Sequence, residues 1–466
     1  MNDKTNAFES LDRQPLQRFH LLAMLTTGMG VFTDGYDLSS IGLVLPVALA
    51  TFGIHTISGL QSGMLAGSAL VGAAIGAILF GALAQRGRKR FYGIDVGLMA
   101  AAAAAQAFAP NLWSLIVIRF FLGIGVGADY VLSPTIMAEH ANAQDRGKKI
   151  AFGFAGMWNF GALASGLVFL TVRALHVAPY WQWRIVLAAG ALPALSVLSL
   201  RRRMPETARY LARLEGASED ARKVIKNITG EPPTTAPKVD RRDWRTVLQK
   251  HARPILGAMT LWFLYDVVLY SGVLFGPSVI AESMGLTAIS FTLMIYGLFT
   301  IPGTLVGCSL IDRMGRKRLM ASGFVISSLA LLVFVPMMKT GGALVTAPLL
   351  TVILFGLYTF SLSAGPGIVS GSGILGVELA PTRVRSIAQG ITVVGGRAGA
   401  VVAAFVFPLL LKQMSARSLM TGLAVLSLIS AALTLVLVPE TKCRSLEEIN
   451  RDTDSDIAKS TEFANF

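Results

Sequence analysis

The chain has 466 residues, of which 53% are hydrophobic and only 15% charged, with a mean hydropathy of +0.60. A soluble domain is about 25% charged, so this composition excludes an ordinary soluble protein and indicates one integral to a membrane. The net charge of +14 does not predict nucleic-acid binding, because residues 201–253 hold 14 Lys/Arg against 7 Asp/Glu and thus half of the excess. Membrane proteins collect Lys and Arg in cytoplasmic loops, which explains the excess more simply.

Apolar runs recur along the whole chain, and each is long enough to be a candidate membrane-spanning helix. Helices are expected because lipid offers no partner to the backbone groups of an open strand. The chain should therefore be all-α, with an N-terminal tail (1–18), a first six-helix bundle (19–200), a linker (201–253), a second six-helix bundle (254–438) and a C-terminal tail (439–466). The predicted spans are 19–48, 58–84, 91–109, 112–139, 149–174 and 182–200 in the first half, and 254–281, 288–311, 317–337, 344–374, 386–411 and 418–438 in the second.

Basic residues concentrate in the loops on one side of the predicted bundle, which we call the basic side. These loops are 85–90, 144–149, 201–253, 312–318 and 381–386. The opposite loops, such as 51–58 and 110–112, are nearly free of charge. The positive-inside rule places the basic side and both termini in the cytoplasm. We therefore expect a multi-pass, monomeric protein of the cell (inner or plasma) membrane.

Several classes of function lack their usual signals. Cys308 and Cys443 make neither a disulfide framework nor a metal cluster. The chain shows no nucleophile–base pair, phosphate-binding loop or ATPase motif, so we expect neither an enzyme nor a cofactor or metal requirement. No signal peptide is visible, because the first apolar run is too long and follows a polar segment, so it indicates a first helix.

Three motifs of the first half recur in the second. "GALAQRGRKR" (81–90) corresponds to "GCSLIDRMGRKR" (307–318), and "PETARYL" (205–211) corresponds to "PETKCRSL" (439–446). Glu139 and Glu378 form the third pair, each followed by a short polar loop. The nearly constant spacing indicates a duplication. Parallel six-helix halves with a site between them at the midplane are a transporter architecture.

These motif pairs resemble the major facilitator superfamily, whose signature between helices 8 and 9 is similar to "GCSLIDRMGRKR". Within that superfamily the two "PET" motifs resemble sugar-porter-related families. "FTDGYDL" (32–38), 119–140 and 261–285 resemble the phosphate:proton symporter family. The resemblance covers 19–446 and implies the major facilitator fold, with twelve helices in two pseudo-symmetric six-helix bundles. The N-terminal signature departs from the family pattern at Gln85, where an aspartate is usual, which weakens the expected charge clasp.

Helix 1 carries two aspartates, Asp34 and Asp37, on one face. Intramembrane carboxylates are functional by default, so we expect the two to bind protons as a coupled pair rather than to brace neighbouring helices. Arg119 in helix 4 needs a counter-ion, and the resemblance to sugar porters implies that it pairs with Asp37 until protonation breaks the pair. The resemblance to the phosphate:proton symporters further implies that Asp129 and Asp266 belong to the proton route.

Candidate substrate ligands lie in both halves. Trp262, Asp266 and Tyr270 recur every four residues and so follow one face of helix 7. The resemblance implies that they line a cavity with Tyr130, although aromatic stripes are usually core. Arg397 is the only cation within helix 11 and can bind an oxyanion through two parallel hydrogen bonds.

Three positions differ from the phosphate symporters. Arg397 stands where they have a lysine, Trp158 matches their helix 5 glutamine, and Ser363 matches their helix 10 asparagine. A tryptophan in place of a glutamine removes an amide donor and fills volume. Trp158 and Arg397 together suit a substrate with an apolar or aromatic body and one anionic group.

Charged residues at the basic-side helix ends are expected to form gate salt bridges and to touch no substrate. The predicted members are Glu139 paired with Arg146, Glu378 paired with Arg383 and Arg385, and Asp312 and Arg316 of the loop between helices 8 and 9.

The sequence thus predicts a proton-coupled secondary transporter that moves a small anionic solute by alternating access. Inorganic phosphate or a similar oxyanion is the first candidate substrate, and an organic acid, favoured by Trp158 and Arg397, is the second. A sugar is third, because the glutamine pair of sugar porters is absent from helix 7. A receptor that keeps the fold without transport would lose its proton-site carboxylates, whereas this chain retains four.

Overall fold

The computed structural model describes residues 7–15, 17–231, 233, 238–276, 281, 286–337, 348–451 and 457. Within these residues the chain is helical, without strands, and twelve long helices form its two halves. They are α1 (Arg18–Thr51), α2 (Gly59–Leu83), α3 (Ile94–Gln106), α4 (Leu112–His140), α5 (Arg146–Ala174), α6 (Pro179–Arg203), α7 (Ala252–Gly276), α8 (Ile289–Met314), α9 (Arg316–Met337), α10 (Leu349–Glu378), α11 (Arg385–Gln413) and α12 (Ala416–Leu437).

The packing of the first six helices recurs in the second six. In the first half α1 packs against α5, α2 against α4 and α3 against α6. In the second half the equivalent pairs are α7 with α11, α8 with α10 and α9 with α12. The halves meet through two further equivalent pairs, α2 with α11 and α5 with α8. The predicted fold of two pseudo-symmetric six-helix bundles is confirmed.

The helix boundaries lie within a few residues of those predicted. Ten helices are long and apolar enough to cross a bilayer, judged over the described part of the chain. The other two are α1, which carries both helix 1 aspartates, and α3, which has only 13 residues. Parts of the predicted spans 254–281 and 344–374, a short stretch of the predicted linker at 232 and 234–237 and the end of the C-terminal tail lie outside the described residues.

Small residues let the helices of each half approach closely at equivalent places. A Cβ on Gly123 in α4 would overlap the backbone of Ala69 in α2. A Cβ on Gly307 in α8 would likewise overlap the backbone of Ala364 in α10. Glycine at these positions replaces side-chain packing with direct backbone contact, which is how membrane helices associate without a hydrophobic driving force.

Short helices cover the basic side. The linker helix Ser218–Thr229 packs its apolar face, including Ile225, against Phe8 and Leu11 near the N-terminus, so this face is buried against protein.

Arg209, which lies close to Phe8, binds acidic residues near the N-terminus and near the C-terminus. Its guanidinium is 2.8 Å from the carboxylate of Asp12, and it donates two hydrogen bonds of 2.8 and 3.3 Å to Glu447. Burial alone would raise the pKa of Glu447, but the Arg209 charge outweighs it and the pKa falls to about 2. The segments that contain Asp12 and Glu447 are thereby anchored to the linker.

Candidate functional site

A cavity of about 280 Å³ lies between the two halves. Seven of the long helices contribute to its wall, three from the first half and four from the second. All of the predicted substrate ligands lie on this wall: Tyr130, Trp158, Trp262, Asp266, Tyr270, Ser363 and Arg397. Sequence positions far apart therefore converge on one space.

π-helical turns shape the cavity wall at three places. They widen α5 at Phe152–Gly156, α8 at Tyr296–Thr300 and α10 at Ser363–Gly371. Each of these turns contributes residues to the cavity lining. Such turns interrupt the regular ladder of helical hydrogen bonds and occur often at functional sites. The turn in α10 contains the "SAGPG" sequence, whose Pro366 removes a backbone donor.

Arg397 is the cationic centre of the cavity. Its Nη2 lies 3.3 Å from Asp266 Oδ2, and its Nη1 lies 3.4 Å from the hydroxyl oxygen of Tyr270. The guanidinium carbon stands 4.7 Å from the centre of the Tyr130 ring, at cation–π distance. The buried Nε has no hydrogen-bond partner among the described residues. This guanidinium is held in place yet retains donor capacity for an oxyanion.

Asp34 is connected to the cavity wall rather than to Asp37. Its Oδ2 accepts a hydrogen bond of 2.6 Å from the Tyr130 hydroxyl and one of 3.0 Å from the Trp158 indole N–H. Its Oδ1 is buried and lacks a partner within the described part of the chain. Two predicted substrate ligands are therefore bound to a carboxylate that the sequence assigned to proton coupling alone.

The predicted direct ion pair between Asp37 and Arg119 is not formed in this structure. Arg119 donates to the Leu65 carbonyl at 3.3 Å and to Gln106 Oε1 at 3.2 Å. Both carboxylate oxygens of Asp37 are buried without a hydrogen-bond partner among the described residues. Gln106, at the end of α3, therefore binds the Arg119 guanidinium in place of the expected Asp37 carboxylate. Both side chains remain fully buried in the first half.

A second cavity of about 30 Å³ lies between Arg119 and the main cavity. Ser39, Trp158 and Tyr270 line both cavities. Its volume is sufficient for one water molecule. Arg119 Nη2 is buried without a hydrogen-bond partner in the described structure.

Asp129 belongs to a separate buried charge cluster. Arg201 Nη1 lies 2.6 Å from Asp129 and 2.6 Å from Asp95, and Ser133 donates to Asp129 at 2.5 Å. The structure extends α6 to Arg203, so Arg201 lies inside the bundle and not in the linker, where it was predicted from the sequence to lie. Asp95 and Arg201 were missed, although a carboxylate within α3 was a usable signal.

On the basic side, Glu139 and Glu378 each bind one arginine from either half. Glu139 pairs with Arg88 of its own half at 3.4 Å and with Arg385 of the other half at 2.9 Å. Glu378 pairs with Arg316 of its own half at 2.8 Å and with Arg146 of the other half at 2.8 Å. We call these two clusters the basic-side network.

The predicted gate pairs were therefore wrong in their partners. Arg146 binds Glu378 rather than Glu139, and Arg385 binds Glu139 rather than Glu378. The reason is geometric: these arginines begin α5 and α11, and both helices pack against the opposite half. Arg383 donates to the backbone carbonyl of Arg242 instead of pairing with Glu378.

The "PET" motifs complete the network symmetrically. The Thr207 hydroxyl donates to Glu139, and the Thr441 hydroxyl donates to Glu378 at 2.6 Å. Glu206 and Glu440 accept backbone N–H groups at the starts of Arg88–Phe91 and α9, at 3.0 Å in each case. A carboxylate at a helix N-terminus satisfies otherwise unpaired donors.

The two signature loops contact the opposite half differently. Asp312 accepts the Lys148 backbone N–H at 2.7 Å and pairs with Arg316 at 2.8 Å. At the equivalent place Gln85 donates to the Ser386 hydroxyl at 2.7 Å. The contact between the halves survives at Gln85, but as a neutral hydrogen bond.

The cavity is closed on the basic side by these contacts. The cavity wall extends toward the side opposite the basic side, where it includes Leu43 near the end of α1 and Phe291 near the start of α8. Much of the aromatic lining was not predicted from the sequence, because aromatic residues in apolar helices are usually core. The additional aromatic side chains are Phe154, Tyr265, Phe291, Tyr296, Phe355 and Tyr358.

Two equivalent six-helix halves around a polar-centred cavity define a membrane transport protein. A family profile described as "Sugar (and other) transporter" matches residues 23–453. The chain is 34% identical to "Inorganic phosphate transporter 1-11" of Oryza sativa subsp. japonica, over 95% of this chain and 89% of that protein. It is 30% identical to "Probable inorganic phosphate transporter 1-6" of Arabidopsis thaliana, over 98% of each chain.

Among solved structures, the major facilitator superfamily proton:xylose symporter XylE, bound to 6-bromo-6-deoxy-D-glucose, aligns with a TM-score of 0.79. That alignment has 22% identity and covers 93% of this chain and 98% of that chain. The chain therefore belongs to the sugar (and other) transporter family. It is a secondary transporter of small solutes, embedded in a membrane, and not an enzyme.

Proposed function

We propose that this protein is a proton-coupled symporter of a small anionic solute, with inorganic phosphate as the first candidate. The observation that carries the proposal is the charge arrangement of the cavity, where Arg397 lies against Asp266 and Asp34 adjoins through Tyr130. The proposed orientation places the basic side in the cytoplasm of a plasma (inner) membrane.

The charges explain why an anion would need protons. With Asp34, Asp266 and Arg397 all ionised, the cavity has a formal charge of −1 and repels an anion. One proton makes it neutral, and two make it cationic. For an anion about 5 Å from a carboxylate, at an effective dielectric constant of about 20, neutralising that carboxylate changes the binding free energy of the anion by about 3 kcal/mol. This corresponds to roughly a hundredfold in affinity. Proton and anion binding then reinforce each other reciprocally.

The transport cycle follows from the closed basic side. An anion enters from the opposite side, and Arg397 binds it after protonated Asp266 loosens its hold on the guanidinium. Opening of the basic-side network then exposes the cavity to the cytoplasm. There the carboxylates lose their protons, Asp266 takes Arg397 back, and the anion leaves. Alternating access is thus driven by an exchange of partners at one guanidinium.

Phosphate is supported by the relatives at 30–34% identity, which are named as inorganic phosphate transporters. A specific observation favours an organic anion as the second candidate. Trp158 lines the cavity together with Tyr296, their ring centres 6.4 Å apart, so this wall offers an apolar face instead of an amide donor. A planar ring carrying a carboxylate would use that wall and Arg397 at once.

Uptake into proteoliposomes with an imposed proton gradient tests the proposal. An acid exterior should drive phosphate accumulation, and Asp266→Asn should abolish accumulation while retaining phosphate exchange across the membrane. Asp220→Asn, on the exposed linker helix, controls for removal of a carboxylate. Wild-type accumulation in Asp266→Asn would refute the assigned proton site. Accumulation of benzoate but not phosphate would favour the organic acid.

A further inference from the structure

Tyr130 and Trp158 both face the cavity, yet neither of their polar hydrogens is free for a ligand. Both point to the same oxygen of Asp34, at 2.6 and 3.0 Å. Hydrogen bonds to an ionised carboxylate are about twice as strong as those to a neutral acceptor. An anion in the cavity therefore competes with Asp34 for the Tyr130 hydroxyl and the Trp158 indole N–H. It competes poorly as long as Asp34 is ionised.

The second oxygen of Asp34 differs from the first. Oδ1 is buried and has no hydrogen-bond partner among the described residues, so it is the position where a proton can bind without displacing a donor. A proton on Oδ1 turns Oδ2 from a carboxylate oxygen into the carbonyl oxygen of a neutral acid. The hydrogen bonds from Tyr130 and Trp158 lose their charge assistance in the same step.

We propose that Asp34 controls access to the Tyr130 hydroxyl and the Trp158 indole N–H: as a carboxylate it withholds both donors from the anion, and as an acid it releases them. Asp34 is then a positioning residue that converts proton binding into ligand binding. The inference rests on the proposed function in one respect, since it takes the competing ligand to be an anion.

Other charged groups surround Asp34 and share its electrostatic field. Asp37 lies on the same helix, while α4 contributes Arg119 and Asp129. From the second half, Arg397 and Asp266 act across the cavity. The test must therefore distinguish protonation of Asp34 from protonation of its neighbours. Variants of Tyr130 and Trp158 make this distinction, because both side chains bind Asp34 directly.

Phosphate affinity in detergent, measured from about pH 5 to about pH 8, gives the first test. The ratio of variant to wild-type Kd at each pH cancels the titration of phosphate itself. Asp34→Asn carries a neutral carbonyl at all pH values and also lacks the negative charge, so it should bind roughly a hundredfold more tightly than wild type at high pH and equally at low pH. Tyr130→Phe and Trp158→Phe should bind about tenfold more weakly at low pH only.

Tyr265→Phe is the matched control, because Tyr265 lines the same cavity and its hydroxyl has no hydrogen bond to Asp34. Its Kd ratio to wild type should be constant with pH. The proposal is refuted if Asp34→Asn shows a pH-independent ratio, or if Tyr130→Phe weakens binding equally at both ends of the range.

A ligand-free measurement keeps the test independent of the substrate. The emission of Trp158, taken as wild type minus Trp158→Phe, should change with pH as its N–H loses the carboxylate partner. Asp34→Asn should lack this change. If phosphate binds at no pH, the proposed substrate fails while the emission still decides the role of Asp34. A pH-dependent Trp158 emission that persists in Asp34→Asn overturns the inference.

Discussion

Arg146→Gln should shift the transporter toward the state that is open on the basic side. Arg146 binds the other half through two contacts, Nε to Glu378 Oε1 at 2.8 Å and Nη2 to the Arg444 carbonyl at 2.9 Å. Glu378 keeps Arg316 and Thr441 when Arg146 is removed, so no buried carboxylate is left bare. The substitution thus weakens the contact between the halves with little other damage.

The magnitude follows from these two contacts. Hydrogen bonds that involve a charged group contribute about 1.5–3 kcal/mol each, and a glutamine can restore part of one. A net loss of about 3 kcal/mol would change the closed-to-open ratio by roughly a hundredfold. Because the equivalent Arg385–Glu139 pair remains, the closed state should persist as a measurable minority.

Spin labels at Arg90 and Arg318 report this opening, since both side chains are exposed on the basic side and belong to different halves. Distances between the labels should shift to a longer, predominant population in Arg146→Gln. Arg313→Gln, an exposed arginine on the same side, is the control and should match wild type. Identical distance distributions in the two variants would refute the reasoning.

Three further predictions concern single contacts. Glu447→Gln should lower the free energy of unfolding by roughly 3 kcal/mol at neutral pH, since Arg209 depresses the carboxyl pKa to about 2. That stabilisation is present above the pKa of Glu447 in the unfolded chain and is lost as the pH falls through its pKa in the folded protein. The melting temperatures of variant and wild type should therefore converge toward about pH 2. A difference in melting temperature that persists at that pH would contradict the prediction. Trp158→Gln should raise the affinity for phosphate relative to benzoate, measured by competition binding, and an unchanged ratio would remove the argument for an aromatic substrate. Gln85→Asp should place a charge by the start of α11 and favour the basic-side-closed state by about 0.5–1 kcal/mol, seen as a shorter Arg90–Arg318 distance; a longer distance would count against it.

Much of the fold follows from one-dimensional signals. Apolar run length sets the helices, and the repeated "GRKR" and "PET" motifs reveal the duplication before any coordinates. The charged cavity residues were also predictable, because a carboxylate or a guanidinium inside a lipid-spanning run needs a protein environment. Asp266 and Arg397 stood out for that reason.

Partner choice was not predictable, because it depends on how helices approach one another. Arg146 is seven residues from Glu139 in sequence, yet its helix packs on the other half and its guanidinium reaches Glu378. Arg119 met Gln106 rather than Asp37 for a similar reason. A sequence lists the charges that need compensation, but the tertiary approach of the helices selects the compensating group.

The symmetry of the basic-side network has a consequence for solute release. When the halves separate, Glu139 keeps Arg88 and Glu378 keeps Arg316, because those pairs lie within one half. The groups that lose their partners are both cations, Arg146 and Arg385. The opened passage is therefore lined by positive charge, which draws a departing anion outward and lowers the electrostatic barrier along its exit.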